Sequence, residues 1–320
     1  MINMYRSKFK NIFLLCTALI VMVVMGFSGC GDRKVQEDKD IIPNENVQPA
    51  LESVEYSNLT DSASRELLTG LLTDAGIRED RIKAFFERVD SFNVSVKSEW
   101  LTDGFESATP TYSKYDPYDM QDMWASKNGS FPGYNCRITA FSLFSDLISA
   151  GDGDYSADAE DSLFMDIETL SDDPDALCGD SINKFCAVFA PVRAEDSTDV
   201  DLQVNKFREG WAARGVRFSE SKARMVSVVF HDKFSDTDNR LFIGHVGILL
   251  PADDNKLYFV EKVAFQEPYR LLKFNDRTEL SDYLMEKYDT SWGQDTAKPF
   301  IMENDKLMVG YRPDPLVKNQ

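Results

Sequence analysis

Residues 224–274 read as strand after strand, and this block constrains the fold more than any other part of the chain. Apolar, β-branched and aromatic stretches at 224–231, 241–250, 257–265 and 269–274 are divided by short polar breaks. One break, Asp253-Asp254-Asn255, has the composition of a hairpin turn. A further strand pair is expected at 300–302 and 306–309. Upstream the pattern is helical. Thr60 or Asp61 can cap a helix with the stripe Leu67, Leu68, Leu71 and Leu72, which Gly76 ends. Ile82, Phe85, Phe86 and Val89 recur at the spacing of a second helix. Other helices are expected from Asn135 to near Gly151, at 202–214 and at 278–288. Helices first and antiparallel strands later make an α+β fold, with a helical hairpin preceding the sheet.

The N-terminal end of the chain differs from this body. Arg6, Lys8 and Lys10 precede an apolar run over 12–27, the layout of a secretory signal. Phe27-Ser28-Gly29-Cys30 resembles the lipobox of bacterial lipoproteins, which implies cleavage before Cys30 and lipidation of its thiol. Residues 1–29 are therefore expected to be a signal peptide, 30–56 a polar tether, and 57–320 a single α+β domain with a helical part at 57–120 and the core at 121–313. The body is expected outside the cytoplasm, held to the bacterial membrane by the acyl chains on Cys30. The full chain, at 320 residues and 43% hydrophobic, can bury a sizeable core, and the protein is expected to be a monomer. The formal charge of −19 argues against nucleic acid as a partner.

Five cysteines occur, and Cys16 and Cys30 belong to the leader and anchor. Cys136, Cys178 and Cys186 remain, so at least one thiol of the body is unpaired. Cys178 and Cys186 enclose a short polar loop and could bridge each other, which would leave Cys136 free. Residues 108–134, rich in Tyr, Asp, Pro, Ser and Gly, read as loop. Residues 152–180 are strongly acidic and read as a solvated loop. They fail as a calcium loop, because Ala157 stands at the turn glycine and Leu163 at the closing glutamate. Neither a metal-ligand spacing nor a phosphate-binding glycine loop occurs, so no cofactor is expected.

Chemistry is carried by three short segments. In FPGYNCR (131–137), Pro132 and Gly133 make a turn and Asn135 can cap a helix whose first turn holds Cys136. The positive end of a helix and its unpaired N–H groups favour a thiolate and a developing oxyanion. A thiolate nucleophile needs a base, and only His231 and His245 are available. His231 ends a strand, whereas His245 lies inside the apolar run GHVGILLP (244–251). On the next strand, LYFVEKVAF (257–265) carries Glu261 in an apolar stretch, where an unpaired carboxylate would be costly.

This order, Cys136 at a helix start, GHVGILLP, then LYFVEKVAF, resembles the NlpC-type branch of papain-like cysteine peptidases and amidases. The resemblance implies a papain-like core with the cysteine helix packed on an antiparallel sheet. It implies Cys136 as nucleophile, His245 as base and Glu261 as the third residue, with Gln266 a weaker substitute. Tyr134 could help the oxyanion, as aromatic hydroxyls do in that branch. The sequence departs from the family in Arg137 after the nucleophile, in Glu261 where His, Asn or Gln is usual, and in a long insertion between Cys136 and His245. NCRIT, GHVGILLP and FVEKVAFQEPYR also resemble a group of bacterial lipoproteins defined by a domain of unknown function. The implied activity is hydrolysis of an amide bond, with cell-wall peptide as substrate. The alternative is a non-catalytic surface lipoprotein that uses the same fold to bind a peptide, glycan or protein.

Overall fold

The chain enters the fold earlier than its polar composition suggests. Val54 and Tyr56 are buried and alternate with exposed Glu55, so residues 54–56, expected to be tether, form most of strand β1 (Val54–Ser57). A computed structural model describes residues 50–159, 162–235, 237–289 and 293–314. The signal, Cys30 and the tether up to residue 49 lie outside the described residues. Among the described residues no helix is long and apolar enough to cross a membrane.

Helix α1 (Ser62–Asp74) starts at Asp61, whose carboxylate accepts from the Ser64 amide at 2.8 Å. Helix α2 (Glu79–Ser95) buries Ile82, Phe85, Val89 and Phe92, the stripe its spacing requires. After β2 (Glu106–Ala108) comes a helix where loop was expected, α3 (Pro117–Asn128). Asp116 caps the Tyr118 and Asp119 amides at 2.8 and 3.2 Å, and Pro117 opens the first turn. Only Met120 and Trp124 of α3 are buried, too thin a stripe to be visible as a period. Helix α4 (Cys136–Phe144) follows, buried at every position except Arg137.

The acidic run is not a solvated loop. It contains α5 (Phe164–Asp172), in which Asp166 is fully buried. Next come α6 (Ile182–Phe189), the short strand β3 (Val192–Arg193) and α7 (Val200–Ala213). The strand block forms β4 (Arg224–Lys233), β5 (Asn239–Pro251), β6 (Leu257–Lys262) and β7 (Tyr269–Phe274). Helix α8 (Arg277–Tyr288) and the strands β8 (Phe300–Glu303) and β9 (Lys306–Leu307) complete the described chain.

The fold is α+β. One antiparallel sheet runs β9-β8-β4-β5-β6-β7-β1-β2, and β3 pairs with the start of β5. Residues alternate between its two faces. Leu241, Ile243, Val246, Ile248 and Leu250 of β5 face the large layer built from α1 to α7. Leu249, Phe259, Leu272 and Phe274 face the other side, where α8 packs through Leu280, Tyr283 and Leu284.

Candidate active site

Cys136 opens α4 because the residues before it stop and cap the helix. Gly133 has a φ of 87°, and a Cβ there would lie 3.1 Å from both the Phe265 carbonyl oxygen and the Trp124 ring. Asn135 is extended, and its Oδ1 accepts from the Ile138 amide at 2.9 Å. Its Nδ2 donates to Asp166 Oδ1 at 2.7 Å. Asp166 also takes Nε and Nη2 of Arg137 at 3.0 and 2.6 Å, a two-pronged ion pair that anchors the residue after the cysteine. The remaining Arg137 nitrogen, Nη1, donates to the Ile243 carbonyl at 3.2 Å. The cap and the first turn of α4 are thus pinned to α5 and to β5.

His245 lies at an irregularity of β5. Val228 pairs with His245 but Val229 with Ile243, so Gly244 is an extra, unpaired residue. A side chain on Gly244 would collide with the Phe230 ring, and one on Gly247 with Phe259. Both glycines flanking His245 and Val246 therefore answer to close packing. The bulge keeps Ile243 and Val246 on the α4 face and leaves His245 on the α8 face, with Leu249 and Phe259. β6 pairs with β5 only from Gly247 onward, and β3 covers only Arg240 and Leu241. Between them residues 242–246 have no strand on that edge among the described residues. The start of α4 reaches His245 beside this gap, where Arg137 meets Ile243.

Glu261 pairs with Gly247, two residues along β5 from His245, which is the diagonal that side chains on one face span. Its Oε2 lies 2.7 Å from His245 Nε2. Its Oε1 accepts from the Tyr283 hydroxyl at 2.6 Å and from Lys287 Nζ at 3.5 Å. Lys287 Nζ also donates to the Tyr283 oxygen at 3.1 Å. Tyr288 stacks on the His245 ring, with centroids 4.5 Å apart and planes at 19°. One helix, α8, therefore supplies two partners of the carboxylate and the stacking partner of the imidazole.

With Nε2–H held by Glu261, Nδ1 is the ring nitrogen left to exchange a proton, and the Cys136 thiol is close enough to His245 for each to shift the other's pKa. Burial pushes the thiol pKa up, but the His245 hydrogen bond and charge, with the charge of Arg137, outweigh it and bring it below the usual value. Burial pushes His245 down, and Glu261 with the thiol raises it above its ordinary value. Burial acts on Glu261 upward too, yet Lys287, His245 and Arg270 hold it well below the usual carboxylate range. The shifts of the thiol and the imidazole run in the direction that favours a thiolate–imidazolium pair, with a carboxylate behind the imidazole.

A family model described as Domain of unknown function (DUF4300) matches residues 55–308. The chain belongs to the DUF4300 family. No curated protein and no solved structure matches it. The matched span runs from β1 to the end of β9, so Cys136, His245, Glu261 and α8 are all parts of the DUF4300 domain.

Other expected site residues lie differently in this DUF4300 domain. Tyr134 gives its hydroxyl to Asp173 Oδ2 at 2.7 Å, with Arg88 over its ring, which removes it as an oxyanion donor. Glu261, and not Gln266 in the following turn, meets His245. Cys178 and Cys186 are free thiols rather than a disulfide. Cys178 sits in left-handed backbone, at a φ of 52°, after the turn at 174–177, while Cys186 is fully buried within α6. His231 is a structural histidine. Its Nδ1 accepts from the Ala297 amide at 2.9 Å, so Nε2 donates to Asn239 Oδ1 at 2.7 Å. Asp166, Tyr283, Lys287 and Tyr288 were not marked by the sequence. The i, i+4 spacing of Tyr283 and Lys287 is the one local signal that they share a face.

A cavity of about 440 Å³ lies beside the site. Its walls include Phe92, Trp124, Phe131 and Tyr269, with Asp173 and Lys262 among the polar groups. Lys262, next to Glu261 in the chain, is buried and donates to the carbonyls of Ala264, Phe265 and Glu267. Neither Cys136 nor His245 lines the cavity. Among the described residues no group of three or more His, Cys, Asp or Glu could hold a metal ion.

Proposed function

We propose that this protein is a membrane-anchored, extracytoplasmic lipoprotein whose domain is a papain-like, NlpC-type thiol hydrolase acting on amide bonds of cell-wall peptides. The observation that carries the reading is the buried His245–Glu261 pair, with Nε2 and Oε2 2.7 Å apart, next to a Cys136 whose pKa His245 lowers. In the reaction, the Cys136 thiolate adds to the amide carbonyl and a C–S bond forms. The imidazolium Nδ1–H then protonates the nitrogen as the C–N bond breaks, leaving a thioester and a free amine. Water gives a proton back to Nδ1 while its oxygen attacks the thioester. The C–S bond breaks, and the acid product leaves the thiolate–imidazolium pair restored. Glu261 keeps the imidazole in the tautomer this cycle needs. The acidic chain and the aromatic cavity with Asp173 suit an amine-bearing peptide. Lipidated Cys30 supplies the membrane attachment, which the acidic surface does not.

The second reading, a non-catalytic binder, is favoured by burial, since Cys136 is 6% and His245 1% exposed. Two measurements separate them. Mass spectrometry of cell-wall fragments incubated with the protein should show a new amine and a new carboxyl end that Cys136→Ala does not produce. Iodoacetamide near neutral pH should label Cys136 selectively in wild type and far more slowly in His245→Ala. Labelling indifferent to His245, with no fragment cut, assigns the protein to binding.

A further inference from the structure

Tyr288 closes α8 with a hydroxyl that no other described residue uses. Its ring lies parallel to the His245 imidazole, 4.5 Å between centroids and 19° between planes, so the phenol is held against the base by stacking. The Tyr283 hydroxyl, one turn earlier, is committed to Glu261 at 2.6 Å. The Tyr288 hydroxyl is buried and has no hydrogen-bond partner among the described residues. Native proteins rarely leave such a group unpaired, because the lost hydration is not returned. A partner that arrives only during a reaction accounts for it. The donor expected for that task, Tyr134, is taken by Asp173. Burial, and the charges of Glu261, Tyr283 and Cys136, hold the Tyr288 phenol well above its ordinary pKa, so it keeps its proton near neutral pH.

We propose that Tyr288 donates a hydrogen bond to the oxyanion formed when Cys136 adds to a carbonyl carbon. The assignment rests on the thiol-hydrolase reading above and makes Tyr288, rather than Tyr134, its electrophilic residue. No proton need leave the phenol. The O–H shortens its contact as the carbonyl oxygen gains charge and relaxes when the C–O double bond re-forms.

Two reactions of the same sulfur separate this role from a structural one. Acetylation of Cys136 by p-nitrophenyl acetate passes through a tetrahedral oxyanion and releases p-nitrophenolate. Alkylation by iodoacetamide displaces iodide with no oxyanion. In Tyr288→Phe, which keeps the stacked ring, acetylation should fall roughly 10²-fold or more, the loss seen when one such donor is removed. Alkylation and its pH profile should stay unchanged. Tyr288→Leu, which loses the ring, should slow both through His245. Equal rates of acetylation in wild type and Tyr288→Phe overturn the assignment, as does a Tyr288→Phe that slows both reactions alike. A wild type alkylated in a His245-dependent way but never acetylated overturns the assignment and leaves the thiolate standing. A wild type inert to both reagents removes the hydrolase reading, and the assignment goes with it.

Discussion

Glu261→Gln is the most informative single change, because the side chain keeps its shape and every partner tests its charge. The three groups around the carboxylate, His245 Nε2, the Tyr283 hydroxyl and Lys287 Nζ, all donate to it. An amide offers one accepting oxygen in place of two. Turning that oxygen toward His245 puts the NH2 against Tyr283, whose hydroxyl must reverse, and strips Lys287 of its counter-charge. Turning it the other way faces NH2 against Nε2–H. Either arrangement loses a charge-assisted hydrogen bond worth about 1.5–3 kcal/mol. Since removing one member of a buried ion pair typically costs about 3–5 kcal/mol, the expected loss is roughly 3 kcal/mol in urea unfolding. The acid limb should change as well. A carboxyl held below its unfolded value contributes stability that is complete above about pH 4.3 and is lost as pH falls below that toward the folded pKa. Glu261 is depressed, so wild type should lose stability in that window and Glu261→Gln should lack this part of the slope. At the thiol, losing the carboxylate lowers the His245 pKa and lets that of Cys136 rise, so iodoacetamide labelling near neutrality should slow. A variant within about 1 kcal/mol of wild type, with the same acid limb and labelling profile, would refute the placement of Glu261 as the support of His245.

Three further outcomes are expected. Asp166→Ala leaves the Arg137 guanidinium without its two-pronged partner and should cost about 3–5 kcal/mol in chemical denaturation. Asp166 raises the Cys136 pKa, so in the folded fraction the thiol should titrate lower than in wild type. His231→Ala orphans the Ala297 amide and Asn239, and should cost about 1–3 kcal/mol while iodoacetamide labelling of Cys136 stays as in wild type. In denaturant without reductant, Cys178 and Cys186 should both react with Ellman's reagent; a mass gain of two hydrogens on reduction would contradict their separation.

What the sequence revealed and what it hid divide along local and tertiary causes. β4 to β7 were legible because strand composition and turn residues are local properties, and the caps were legible, Asn135 outright and Asp61 as one of two candidates with Thr60, because caps act within one turn. Glu261 stood out because a carboxylate inside an apolar strand demands a partner. Helix α3 was hidden because it buries only Met120 and Trp124, although Asp116-Pro117 was a start signal in plain view. Asp166 was hidden for a different reason. In an acidic run it looks solvated, and the Arg137 that draws it inward belongs to another helix. A charge pattern alone could not single it out. The spacing of Cys178 and Cys186 allowed a bridge, but the buried face of α6 claims one sulfur and leaves the other outside.

The same division explains why α8 escaped notice although it completes the site. Cys136 belongs to the layer of helices α1 to α7, while Glu261, Tyr283 and Tyr288 gather on the opposite face of the sheet. Two layers separated by a continuous sheet could not share a proton. They meet here because β6 stops at the partner of Gly247, β3 stops at Leu241, and Gly244 is an extra residue that turns His245 toward α8. The glycines of GHVG are therefore not neutral spacing around a histidine. Gly244 makes the bulge against Phe230, Gly247 permits the close approach of Phe259, and between them His245 is positioned to answer to both layers. That makes the chemistry of Cys136 depend on the packing of a helix more than 140 residues downstream, which no reading of a local motif contains.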